Sequence, residues 1–258
     1  MEWAEQDRHE LRRAKTLLEQ PGLAMRIANA VGVPVERVFA ALPAGAAGAI
    51  QRATTSSLSR ALSVVTSRMD EAPRASADWA HKISVAASGA VGGAFGLTAL
   101  AIELPISTTI MLRSIADIAR SEGHSIRSPQ VLLACLEVFA LGGPGRADNA
   151  AESGYFAGRA ALARAVSEAA EYIATRGLAE GAPALVGLVT KIAARFGVPV
   201  TEKALAQSVP IIGAAGGAMI NVLFINHFHD VARGHFVVLR LEAKYGAAAV
   251  KDAYAALA

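Results

Sequence analysis

Apolar positions along this chain recur at three- and four-residue spacing, and no segment alternates convincingly with period two. Residues 3–19 place Leu11, Ala14, Leu17 and Leu18 on one side, which predicts an exposed amphipathic helix ended by Pro21-Gly22. Short helices follow over 23–31, closed by Gly32, and over 35–42, with Pro34 as first helical residue. Residues 51–69 keep a helical period through Leu58, Leu62 and Val65 despite many Ser and Thr, and 70–77 (DEAPRASA) read as a linker. Ser128 as N-cap and Pro129 after it start a helix over 130–141 that is apolar except for Cys135 and Glu137. Gly142-Gly143-Pro144-Gly145 break it, and further helices are predicted over 155–176, over 185–196 and, longest of all, over about 217–245.

Two stretches organise this pattern. Residues 83–102 carry no charge, hold Gly89, Gly92, Gly93 and Gly96 at one-turn spacing, and then meet Glu103-Leu104-Pro105. Residues 204–225 are charge-free as well, with Pro210, Gly213, Gly216 and Gly217. Glycine weakens a helix by ~1 kcal/mol per residue, and close helix–helix approach offsets that, in bilayers and in tight soluble cores alike. Each run is near the ~20 residues that span a bilayer. Both are rich in Ala and Gly rather than Leu, which favours a buried or interfacial hairpin over two true spans. An internal echo joins residues 23–43 to 188–208, with the block Gly32-Val33-Pro34-Val35 against Gly197-Val198-Pro199-Val200. It reads either as two helix–turn–helix units sharing a stop signal or as a degenerate duplication.

Composition narrows the function classes. Of 258 residues 53% are hydrophobic and only 18% charged, and the net charge of +3 comes from scattered rather than clustered Lys and Arg. No basic stripe or aromatic interleaving supports nucleic acid binding. A single cysteine, Cys135, forms no intramolecular disulfide, and the densely charged first twenty residues lack the apolar core of a secretory signal. The expected location is cytoplasmic.

Candidate chemistry is sparse. No nucleophile-elbow, zincin, paired-cysteine or phosphate-loop pattern occurs. Glu103, Ser107, Ser114 and Asp117 form a polar row on the helix after Pro105, with Arg113 four residues before Asp117. The plain reading is an Arg113–Asp117 surface pair with Glu103 at a water boundary; the functional one is a polar pocket against the last helix. On that helix Asn226, Asp230, Arg233, Arg240 and Lys244 share a polar face, His229 falls on the apolar side and His227 between the two. His227 and Asp230 could share a metal with Glu103 or Glu137, although a histidine on an apolar face is more often a hydrogen-bonded core residue.

The blocks ELPISTTIMLRSIADIARSEGHSI, ACLEVFALGG and SVPIIGAAGGAMINVLFINHFHDVARGHFVVLRLEAKYG resemble, in that order, the EcsC protein family. The likeness covers about 79–246, with 1–70 matching only loosely. The family is named for a protein encoded beside an ABC transporter in bacteria, so the resemblance implies a bacterial, helical, membrane-associated chain and a transporter-linked partner. It transfers no catalytic residue; it draws interest to Glu103, Pro105, Arg113, Glu137, Pro210 and Asn221 because they lie within the matching blocks.

The expectation is therefore an all-α single domain spanning 1–258, packed around the two Gly-rich apolar helices. Its leading function is non-enzymatic: binding lipid or a membrane protein from the inner face of the membrane, with no cofactor. Lys82, Arg113, Arg120 and the cations of the last helix would face headgroups, and Asn221, Asn226, His227 and His229 would contribute to ligand binding. The rival is a hydrolase or metal-dependent enzyme on a lipid-like substrate, using Glu103, Asp117, Glu137, His227, His229 and Asp230. The third reading is a soluble helical scaffold without a ligand.

Overall fold

Ala-rich sequence with a 3.6-residue apolar period leaves little besides helix packing to build with, and the computed structural model is all-α. It describes residues 3–20, 22–31, 46–68, 97–142, 154–177, 182–208 and 213–257. Among these stand α1 (Glu5–Leu18), α2 (Leu23–Val31), α3 (Ala46–Arg68), α4 (Leu97–Ser121), α5 (Pro129–Leu141), α6 (Gly154–Arg176), α7 (Pro183–Ser208), α8 (Gly213–Tyr245) and α9 (Ala247–Ala256). The expected helix over 35–42, the linker over 70–77 and the first Gly-rich segment with Gly89 to Gly96 lie outside the described residues.

Among the described residues the innermost element is α5. All nine residues from Leu132 to Ala140 are buried and all but Glu137 are apolar, so the helix needs cover around its whole circumference. Packing against α4, α6, α7 and α8 does this. Phe139 of α5 meets Phe196 of α7 (ring centroids 4.7 Å apart) and Phe228 of α8 (5.5 Å). Cys135 sits fully buried there, and burial pushes its thiol far above the ordinary range, so it packs as a small hydrophobe. Ser128 takes the N-cap position, but its hydroxyl bonds Gln130 Oε1 (2.7 Å) instead of closing the helix end.

α4 and α8 run parallel, as three cross-links in rising order show. Asn221 bonds Glu103, His229 bonds Ser114, and the carbonyl of Phe236 pairs with His124. α1 runs antiparallel to α8: Asp7 pairs with Lys244 (2.6 Å) and Tyr245, Glu10 pairs with Arg240 (2.6 Å), and Trp3 stacks on Tyr245 at 4.2 Å. Gly234 marks their closest approach, because a Cβ there would lie 2.6 Å from Leu18 Cγ and 3.0 Å from the backbone oxygen of Ala14.

Three sequence expectations change. The α7 helix runs through Gly197-Val198-Pro199-Val200 without a break, so the second copy of the internal echo is not a helix–turn–helix unit. A proline inside a helix costs one donor, and the hydroxyl of Thr201 bonds the carbonyl of Gly197 (2.7 Å) in that turn. The charge-free run 204–225 falls in two helices, the end of α7 and the start of α8, with 209–212 outside the described residues. The cations of the last helix do not face outward as a group, because the amphipathic α1 folds its acids onto Arg240 and Lys244.

One substitution checks the α1–α8 seam. Gly234→Ala must displace Leu18 or the α1 backbone, and overpacking of this kind costs ~1–3 kcal/mol. Urea denaturation should show a lowered midpoint with an unchanged slope; an unchanged midpoint would mean that α1 does not lie this close to α8.

Candidate functional site

Glu103 and Lys203 are among the most confined charges in the described residues, at 4% and 0% exposure. Glu103 lies two residues before Pro105 in α4, and Lys203 four residues after Pro199 in α7. Their side chains form a direct ion pair at Glu103 Oε1. The same oxygen accepts from Asn221 Nδ2 of α8 at 2.9 Å, and the Lys203 ammonium sits 4.9 Å from the centre of the Phe224 ring. Among the described residues no partner reaches Glu103 Oε2, which is also buried. Burial lowers the Lys203 pKa, and Glu103 pulls it back up. A pair this dry gains strong attraction but loses most of its hydration.

The geometry distributes the sequence-expected residues over separate places. Glu103 and Asn221 come together, as the pocket reading required, and Lys203 completes the cluster. Glu103 is thus deep in the core rather than at a water boundary. Asp117 pairs with Arg120, its neighbour one turn on, rather than forming the surface pair expected with Arg113, which is exposed. Engagement with Asp117, at 11% side-chain exposure, also removes Arg120 from the set of headgroup-facing cations. Asp230 pairs with Arg26 (3.3 Å) and Arg233 (3.8 Å), and Asn226 is half-buried beside it.

His227 Nε2 bonds the carbonyl of Gly142, so its ring closes the end of α5 instead of meeting Asp230 around an ion. No group of three or more His, Cys, Asp or Glu placed to hold a metal occurs among the described residues. His229 Nε2 shares a 2.6 Å hydrogen bond with Ser114 Oγ. A serine–histidine pair has the form of a nucleophile and its base, but both residues are fully buried and line neither of the clefts described below. It serves as a polar link between α4 and α8.

Two surface clefts are lined by the described residues. One of about 240 Å³ lies against Leu18, Leu141, Tyr155 and the edge of His227. The other, of about 500 Å³, holds Glu137 with Arg159, Glu242 and Lys251. Arg159 forks onto Glu242 with bonds of 2.7 and 3.0 Å, and Tyr155 OH bonds His235 Nδ1 at 2.8 Å. Sequence reading missed Lys203, Arg159, Tyr155 and His235. Only Lys203 carried a signal: it is the last charge before a charge-free run, as Glu103 is the first charge after one.

Residues 5–241 match the model of the EcsC protein family, so the chain belongs to that family. Comparison with curated proteins and with solved structures returns no match.

Two measurements test this geometry. Removing one member of a buried pair strands the other, at ~3–5 kcal/mol, whereas replacing both with apolar residues is often near neutral. Glu103→Leu and Lys203→Met should each unfold at clearly lower denaturant, and the double variant should recover most of the loss; additive losses would contradict the pairing. Burial holds the His227 pKa down at about 4, whereas the unfolded chain takes up a proton below its ordinary value of 6.5. Stability from the neutral ring is therefore complete above pH 6.5 and is lost as pH falls toward 4, at about 1.4 kcal/mol per pH unit. The stability advantage of wild type over His227→Gln should shrink across that window. An advantage that stays constant would mean that the ring is not buried and neutral.

Proposed function

We propose that this EcsC-family chain is a non-enzymatic, membrane-peripheral protein. It would meet lipid or a membrane partner through the end of the bundle that lies beyond Glu103, Lys203 and Asn221. One observation carries the reading. Glu103 closes the charge-free run 83–102, Lys203 immediately precedes the run 204–225, and Asn221 lies inside the second run; these three residues bond to one another. Because α4 and α8 are parallel and α7 returns toward the start of α8, residues 97–102, 204–208 and 213–220 leave this cluster toward the same end. None of these stretches carries a charged side chain.

Exposed apolar side chains support the same end. Of the five large hydrophobic residues that are exposed among those described, Met219 lies in the third of these stretches, and Ile106 and Val198 border the cluster on its other side, three residues after Glu103 and five before Lys203. Arg113, exposed and further along α4, is a cation placed to meet headgroups; Lys82 lies outside the described residues. Net charge is only +3, so apolar contact rather than general electrostatic attraction would dominate. The inner face of the membrane is the corresponding location, and a transporter-linked membrane protein the partner that the family resemblance suggests.

Spanning is less favoured. One helix among the described residues, Pro183–Ala206, is long and apolar enough to cross a membrane, with mean hydropathy 1.4 over its most apolar window. Much of it is buried, and its outward side carries Thr190 and Lys191, which suits a core helix at a water-facing surface. The metal-dependent alternative finds no ligand set among the described residues.

Flotation with liposomes tests the proposal. Wild-type protein should rise with neutral and anionic vesicles and stay bound at high salt. Ile106→Asp combined with Met219→Asp should stay at the bottom of the gradient. Val186→Asp, which charges an exposed apolar site near the far end of α7, should float as wild type does. Failure of wild type to float with any composition, or equal loss in the Val186 variant, would refute the reading.

A further inference from the structure

The cleft around Glu137 lies toward the opposite end of α8, about 30 Å along the helix from Asn221. Its volume of about 500 Å³ falls within the range of small-molecule sites. Phe156, Ala163 and Val166 of α6 and Ala247 of α9 give it apolar walls.

Its charged groups are not equivalent. Arg159 commits both terminal nitrogens to Glu242, and its guanidinium also lies over the rings of Tyr155 (5.6 Å) and Phe156 (5.9 Å). Glu137, in contrast, is 8% exposed, lines the cleft, and makes no hydrogen bond or ion pair among the described residues. A carboxyl held against apolar walls without donors is costly. Burial raises its pKa to about 7, Arg159 works against that rise and Glu242 adds to it.

The remedy follows from the chemistry of the wall. An anion entering the cleft would meet two carboxyl groups and a guanidinium already engaged by Glu242, with Lys251, on the exposed side of α9, as the other cation of the lining. A neutral apolar molecule would fill the walls and leave Glu137 unsatisfied. A cation bearing N–H donors supplies both the charge and the hydrogen bonds that Glu137 lacks. We propose that this cleft binds a primary ammonium carried on an apolar stem, the ammonium donating to Glu137 and the stem lying against Phe156, Ala163 and Val166. The inference stands apart from membrane contact, which involves the other end of the bundle.

Binding of this kind is linked to one proton. Only the ionised carboxylate attracts the ammonium, so affinity should be full above pH 7 and weaken toward tenfold per pH unit below it. The other groups that face Glu137 are Arg159 of α6, Glu242 of α8 and Lys251 of α9, with Tyr155 behind Arg159. Arg159 stays protonated across this range and remains bonded to Glu242.

Calorimetric titration of the full chain, free of vesicles, with octylammonium, octanol and octanoate decides the matter. Octylammonium should bind at one site per chain, at pH 8 at least about tenfold more tightly than octanol or octanoate. Glu137→Gln keeps the shape and should lose that preference. Ala163→Trp leaves Glu137 in place, fills the cleft from an exposed helix position, and should abolish binding; circular dichroism verifies that both variants are folded. The proposal is overturned if octylammonium shows no saturable binding at millimolar concentration. It is also overturned if octanol or octanoate binds as well, or if Glu137→Gln binds as wild type does.

Discussion

The ion pair of Glu103 and Lys203 is the constraint on which the rest of the described bundle depends. Both charges are buried, and each lies within four residues of a helix-internal proline. An apolar pair of equal volume would serve a plain core as well or better, so stability alone gives little reason for it. Its position offers one. It joins α4 to α7 at the level where charge disappears from both helices, and Asn221 brings α8 to the same point. With these three helices in register there, Ser114 reaches His229 and His124 reaches the Phe236 carbonyl further along the same seam. Displacing the pair would shift that ladder of polar links.

The opposite end of α8 obeys a different rule. Its polar row would suit a solvent-exposed or headgroup-facing helix, yet α1 arrives with acids at matching positions. Asp7 pairs with Lys244, and Glu10 with Arg240, which also contacts Glu122 at 3.3 Å. Hydrogen bonds from Lys244 and Tyr245 hold the Asp7 carboxyl below its ordinary pKa. A second apolar cluster of Leu11, Ala14, Tyr155, Val238, Leu241, Val250 and Tyr254 closes this end. The helix is thus polarised along its length: charge-free where it leaves Asn221, densely paired where it meets α1 and α9.

Much of this was legible in the sequence because it depends on local period. The apolar spacing of α5, the amphipathic α1 and the long α8 each follow from residues three and four apart. The family resemblance, resting on three ordered blocks, agrees with the match over 5–241. Partner choice was not legible, because it is set by helices distant in the chain. Arg113 and Asp117 have ideal spacing for a pair, but Arg120 took Asp117 instead. His227 and Asp230 share a helix face pattern, yet one turns to the Gly142 carbonyl and the other to Arg26. Pro199 read as a stop, but α7 runs through it. Lys203 was overlooked because a lone lysine before an apolar run ordinarily marks a solvated helix end, and only the fold brings Glu103 to it.

The central claim is that the charge-free end beside the Glu103 cluster is the face that meets a membrane. Its most direct test is an environment-sensitive fluorophore attached at Met219→Cys or, separately, at Val186→Cys; the native Cys135 is buried and stays unlabelled. On adding vesicles, the account predicts a blue-shifted, brightened emission from the label at 219 and an unchanged one from the label at 186. An unchanged signal at 219, or equal shifts at both positions, would contradict it.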